Sequence, residues 1–416
     1  MPRPRLSFKF SAANCLPFLS TLVLLAAAFN VSPAQTLTAL YTFKGPPNDG
    51  ANAAAGLIAD ALGNLYGTTQ DGGPHNFGTV FELTPAGVES TLYFFPNLTS
   101  QLNLRNGIYP SSTLIFDAQG NLYGTTNGGG KHTVSCFAPC GTVFKITPRG
   151  RGKLAYAFVG SPDGQNPLGG LIIDTQGNLY GTTTLGGVTN AGAVFKLTSS
   201  GVETVLHSFI GSDGVNPAGN LAMDASGNLY GTTQQGGAHG YGVVFELTPD
   251  GTEATLYNFA GTDGAYPNGL IFDAQDNLYG TTSAGGTFGS GTVFKLTPQG
   301  VETVLYNFAG YPTDGASPTA GLVMDEQGNL FGTTAVGGVW ACENNFGCGT
   351  VFKIAADGTE TVLHNFCSNQ GCTDGQNPAG GLVLDAQGNL YGSTFYGGQQ
   401  TCDPPRGCGV VFKLAP

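Results

Sequence analysis

Basic residues are scarce in this chain. Only 15 Lys and Arg stand against 27 Asp and Glu in 416 residues, and charged residues of both signs make up 10%. Affinity for nucleic acid comes largely from neutralising phosphates, so an acidic chain is a poor partner for DNA or RNA. An anionic membrane surface is disfavoured for the same reason. Helical periodicity is missing beyond residue 34, and no apolar run there is long enough to cross a bilayer. The metalloprotease pattern HExxH, the nucleophile elbow GxSxG, the P-loop and zinc-finger spacings are also absent. With them go the usual sequence grounds for assigning catalysis, and no catalytic residue, metal ligand or cofactor is expected. Tryptophan occurs once, as Trp340.

What the chain has instead is glycine, 67 residues of it, and repetition. The string Asn-Leu-Tyr/Phe-Gly-Thr/Ser-Thr occurs seven times, starting at Asn64, Asn121, Asn178, Asn228, Asn277, Asn329 and Asn389, at spacings of 49 to 60 residues. That period suits a four-stranded propeller blade. In the fifth copy four short runs rich in β-branched and aromatic residues follow one another: 269–273, 277–282, 291–297 and 302–308. Gly, Pro, Asn or Asp bounds each, which is the strand signature. They are named a, b, c and d, from the axis outward. Asp273 and its equivalents Asp60, Asp117, Asp174, Asp224, Asp325 and Asp385 close the a–b turn, where a carboxylate accepts hydrogen bonds from the turn backbone. A metal or catalytic ring of aspartates is the rival reading, and the shared geometric task favours the turn.

The chain starts and stops out of phase with the repeat. It ends after Val411-Phe412-Lys413-Leu414, a strand c, and its first strand, Thr38 to Phe43, is a strand d. Together they complete one blade, and closing the ring removes the exposed edges of an open array. The expected fold is therefore an all-β, seven-bladed β-propeller spanning 35–416. Its blades fall at about 56–95, 112–158, 170–209, 220–259, 269–308, 321–366 and 381–414 with 37–43. Residues 1–34 read as a cleavable secretory signal: Arg3, Arg5 and Lys9, an apolar stretch from Leu16 to Phe29, then Ser32-Pro33-Ala34. A membrane anchor is the alternative, although the apolar run is short. Its removal leaves 12 basic against 27 acidic groups, a net charge of −15. The sequence predicts a secreted or periplasmic monomer without a C-terminal anchor.

The repeated core, Gly-Leu-Ile/Val-x-Asp…Gly-Asn-Leu-Tyr-Gly-Thr-Thr…Gly-Thr-Val-Phe-Lys-Leu-Thr, resembles the GloVer tandem-repeat family of bacterial exported proteins over residues 36–416. The resemblance implies an extracellular, propeller-like protein and assigns no reaction.

Eight cysteines follow residue 34 as near neighbours: Cys136/Cys140, Cys342/Cys348, Cys367/Cys372 and Cys402/Cys408. An even count in an exported chain predicts four local disulfides, with zinc the rival. The a–b and c–d turns do not vary in length between copies. The b–c loops do: the gap from strand b to strand c is 9 residues in copies one, three, four and five and 15 in copies two, six and seven. The long loops hold three of the cysteine pairs, and the fourth lies in a d–a loop of the same face. Variable loops on a rigid scaffold are where binding sites are placed, although such loops also need a staple for their own sake. These loops carry Trp340, Phe346, Phe395, Tyr396 and Arg406, with Lys131, His132 and Phe137 in copy two. Aromatic rings with polar neighbours suit a sugar or a peptide. The candidate ligand contacts are Trp340, Phe346, Tyr396, Arg406 and His132. His207 and His364 replace the strand-d tyrosine and read as structural, and His75, His132 and His239 read as loop polar residues. The predicted function is a non-catalytic extracellular binding or scaffold propeller. The alternative is a hydrolase or lyase of lactonase type, with its site at the axial mouth of the same face.

Overall fold

A computed structural model describes residues 35–96, 107–130, 136, 140–339, 342, 346–369, 371–399, 402 and 406–416. Trp340, His132, Lys131 and Phe137 lie outside the described residues. All regular structure among the described residues is β-strand, and seven antiparallel sheets follow the order a–b–c–d. In the fifth, Ile271–Phe272, Leu278–Ala284, Thr292–Leu296 and Glu302–Asn307 are the four strands. In the seventh, Thr36–Thr42 supplies strand d and pairs antiparallel with Val410–Ala415, from Thr36↔Ala415 to Thr42↔Val410. The sheet is thus built from both ends of the chain, as expected for a closed ring.

The repeat motif makes sense once packing is considered. In each copy the strand-c Phe lies flat across the Gly of strand b. A Cβ on Gly67, Gly124, Gly181, Gly231, Gly280, Gly332 or Gly392 would sit 2.5–2.8 Å from the ring carbon Cζ of that Phe. The last Phe of each repeat then inserts between blades. Phe43, Phe95, Phe158, Phe209, Phe259, Phe308 and Phe366 are all essentially inaccessible to solvent. Each meets the strand-c Phe of the next blade edge to face at 5.0–5.2 Å between centroids, a favoured aromatic geometry. Phe43 against Phe81 makes the seventh of these joints and ties the last blade to the first. The core is therefore a ring of seven inter-blade clusters. Replacing Gly332 by Ala should cost about 1–3 kcal/mol by overpacking against Phe352. Urea denaturation of the variant measures this, and an unchanged midpoint would contradict the packing role.

The seven aspartates are turn-formers. Asp273 Oδ1 accepts from the Gln275 and Asn277 backbone N–H groups at 2.8 and 2.9 Å, and its Oδ2 accepts from Asn277 Nδ2 at 2.7 Å. The same set recurs at Asp60, Asp117, Asp174, Asp224, Asp325 and Asp385. Burial alone would raise the Asp273 pKa, but the hydrogen bonds from Asn277 and Gln275 outweigh it and hold the carboxyl below its ordinary value.

Strand a is only two residues long, as in Val323–Met324. The axis holds a cavity of about 410 Å³ lined by all seven repeats. Its wall combines Gly and Ala with apolar side chains, among them Leu57, Leu270, Leu322 and Leu382, and with polar ones such as Ser111, Asn220, Gln234 and Asn268; no carboxylate or imidazole is among the described lining residues. The d–a connections are not plain loops. Asn52, Tyr109, Asn166, Asn216, Tyr266, Ser317 and Asn377 all take positive φ, between 51° and 61°. Each donates its N–H to a carbonyl just before strand c of the preceding blade, at 2.8–3.0 Å. Six of the seven precede a proline, a place that favours extended backbone, so the inter-blade bond holds a conformation that non-glycine residues seldom adopt.

Candidate functional site

All four cysteine pairs are joined as the sequence predicts, with Cα separations of 5.8, 5.2, 4.0 and 5.3 Å for Cys136–Cys140, Cys342–Cys348, Cys367–Cys372 and Cys402–Cys408. Cys140, Cys348 and Cys408 are buried at blade joints just before strand c. Each disulfide therefore anchors the base of a long loop to the inter-blade core, which limits the conformations the loop can sample.

The loops of blades six and seven are built alike. Cys342-x₃-Phe346-Gly-Cys348 and Cys402-x₃-Arg406-Gly-Cys408 have the same spacing. The Gly337 N–H donates to the Phe346 carbonyl and the Gly397 N–H to the Arg406 carbonyl, both at 2.7 Å. A Cβ on Gly347 or Gly407 would collide with the backbone of Gly337 or Gly397, so both loops need glycine there. Phe346 and Arg406 thus occupy matching places one blade apart. Between them runs a groove of about 280 Å³ lined by Val336, Cys342, Phe346, Gly347, Gln376, Asn377, Tyr396 and Arg406.

Three of the five candidate contacts, Phe346, Tyr396 and Arg406, meet in this groove. Phe346 is 65% exposed, a large apolar surface to leave in water at the edge of a concave site. The Arg406 guanidinium lies over the Tyr396 ring at 5.3 Å, with Nη1 3.5 Å from the hydroxyl. Phe395 meets the same ring edge-on at 4.7 Å. The groove therefore offers an aromatic face, a planar cation and two side-chain amides. Gln376 and Asn377 did not stand out in the sequence. Asn377 is the positive-φ residue of its blade, and its Nδ2 donates to the Ala335 carbonyl at 2.8 Å, fixing the floor of the groove across the joint. Its only sequence mark was the Asn-Pro dipeptide. Of the remaining histidines, His75 and His239 are exposed and line neither the axial cavity nor the groove.

A second titratable arrangement repeats around the ring. The strand-d tyrosine donates to an aspartate of the following connection: Tyr41 to Asp49, Tyr156 to Asp163, Tyr257 to Asp263 and Tyr306 to Asp314, at 2.6–3.1 Å. His207 and His364 take the tyrosine's place and lie 3.0 Å from Asp213 and Asp374, the structural role expected of them. At five joints the glutamate that opens strand d of the next blade faces this pair: Glu89, Glu203, Glu253, Glu302 and Glu360. Burial, and then the facing aspartate, pushes Glu203, Glu302 and Glu360 up to about 7. One oxygen of each is buried without a hydrogen-bond partner.

Residues 26–230 and 135–345 match the Gloeobacter/Verrucomicrobia repeat. Among solved structures, a streptogramin B lyase is similar at TM-score 0.58 and 15% identity, over 92% of this chain and 99% of that one. The extracellular domain of a one-component system from B. thetaiotaomicron is similar at TM-score 0.57 and 11% identity, over 91% of this chain but 40% of that one. The extracellular domain of a hybrid two-component system from the same organism is similar at 0.52 and 14%, over 88% and 39%. At such identities the likeness shows the fold alone. No protein of curated function matches.

Proposed function

The chain belongs to the Gloeobacter/Verrucomicrobia repeat family, and from that premise we propose that it is an exported, non-catalytic binding propeller that takes a carbohydrate in the groove between blades six and seven. The observation that carries this reading is the meeting of Phe346, Tyr396 and Arg406 in one disulfide-anchored groove. An exposed aromatic face stacks on the apolar face of a sugar ring, while amides and a guanidinium bond its hydroxyls. Trp340 and His132, of the long loops in copies six and two, belong to the proposed contact set as well. Residues 1–34 act as the export signal, in keeping with four disulfides that persist in oxidising compartments. No helix among the described residues is long and apolar enough to cross a membrane.

A glycan array tests the reading. The wild type should bind a defined subset of glycans. The double variant Phe346→Ala/Tyr396→Ala should lose about 2 kcal/mol, roughly 30-fold in affinity, the expected cost of central aromatic contacts. Its melting temperature should stay close to wild type, because Phe346 is exposed and Tyr396, at the end of its strand, is only half-buried. A blank array for the wild type rejects carbohydrate as the ligand class, and undiminished binding by the double variant rejects the groove.

A further inference from the structure

The joint between blades three and four differs from the other carboxylate joints in one residue. There His207 stands in the tyrosine position, facing Asp213 and Glu253. Tyrosine at this place stays protonated: burial, and then the hydrogen bond to Asp263, drives the Tyr257 hydroxyl well above its ordinary value, and a neutral phenol is a poor metal ligand. A neutral imidazole offers a lone pair instead. His207 Nε2 is 3.0 Å from Asp213 Oδ2, and one donor atom each of His207, Asp213 and Glu253 lie within 4.8 Å of one another. All three side chains are half-buried. Bonds of about 2.1 Å to zinc place tetrahedral donors about 3.4 Å apart, which the trio can reach by small torsional adjustments. Two carboxylates facing each other across a joint also call for positive charge between them. At three tyrosine joints the raised affinity of Glu203, Glu302 and Glu360 for a proton eases this repulsion, and a divalent cation would ease it here.

We propose that His207, Asp213 and Glu253 form a structural site for a first-row divalent cation, with water in the remaining coordination position. One imidazole and two carboxylates form a donor set suited to Zn²⁺. The ligands come from strand d of blade three, the connection after it and strand d of blade four. The ion would clamp two blades, as the disulfides anchor loops elsewhere on the ring. His364 is the built-in control. It makes the same 3.0 Å contact to Asp374, but the register of the closing strand puts Leu37 where five of the other six joints have glutamate.

Equilibrium dialysis of the full chain against micromolar Zn²⁺ at neutral pH tests the site. One ion per chain should be retained, and it should raise the melting temperature. His207→Tyr installs the residue of the other joints and so keeps the fold; it should weaken retention about 100-fold or more, since even residues that only support a ligand are worth 10- to 100-fold. Glu253→Gln should weaken it too, while His364→Tyr should leave it unchanged. The proposal is overturned if the wild type retains no zinc, if His207→Tyr retains as much as the wild type, or if His364→Tyr releases the ion.

Discussion

A chain lacking residues 35–44 will unfold at a markedly lower temperature than the full chain, or will not fold at all. The deletion strips Thr36–Thr42 from Val410–Ala415 and leaves the last sheet with an unpaired edge. It also removes Phe43, which is fully buried against Phe81 of the first blade. Loss of that ring alone, in Phe43→Ala, should cost about 3–5 kcal/mol. That is a large share of a folding free energy of about 5–15 kcal/mol. Because every blade leans on two neighbours, opening one joint exposes apolar surface on both of its sides. A synthetic peptide of residues 35–44 added to the truncated chain should restore part of the melting temperature by refilling the edge. A truncated chain that melts like the full one, with or without the peptide, would show that the ring is not closed there.

Stability will fall as pH rises from about 5 to 8, and the triple variant Glu203→Gln/Glu302→Gln/Glu360→Gln will flatten that slope. Burial first, and the facing Asp163, Asp263 and Asp314 next, push these three glutamates up to about 7 from an unfolded value of 4.5. A group whose folded pKa is raised binds its proton more tightly in the folded state. Its stabilising contribution is full below the unfolded value and is lost as pH rises through the folded one. The groups facing each glutamate are Asp163 and Tyr156, Asp263 and Tyr257, and Asp314 and, across the same joint, Tyr306. The turn aspartates work at the other end. Hydrogen bonds outweigh burial and lower Asp60, Asp117, Asp174, Asp224, Asp273 and Asp385, so their contribution is lost as pH falls through their depressed values. The stability maximum should therefore lie in mild acid. Thermal melts across pH for the wild type and the triple variant measure both effects. A wild type whose stability rises from pH 5 to 8, or a triple variant with an unaltered slope, would contradict this account.

The fold was legible because it is written seven times. Runs of β-branched and aromatic residues, fixed turn lengths and the split repeat each pointed to the same ring, and agreement between levels is what a foldable sequence offers. The reason for the Gly in Leu-Tyr-Gly-Thr-Thr was not legible, because the Phe that needs its bare backbone lies on the next strand. The joints were hidden for a related reason. Glu302 is 39 residues from Asp263, and neither has a local motif; only the twist of adjacent blades brings them together. The groove was half legible. Loop length and cysteine spacing marked the loops that line the groove, with the exposed ring of Phe346 and the half-buried ring of Tyr396. Gln376 and Asn377 escaped notice because their place depends on an inter-blade backbone bond.

The measurement that bears most directly on the proposed function is a fluorescence titration with soluble oligosaccharides. Trp340 is the only tryptophan, so its emission reports on one of the loops proposed to contact the ligand. The account predicts a saturable change in the wild type. The midpoint should move roughly 30-fold higher in Phe346→Ala/Tyr396→Ala and stay put in Val301→Ser, a change in an exposed c–d turn. Emission that saturates at the same midpoint in the groove variant, or binding lost through Val301→Ser, would contradict it.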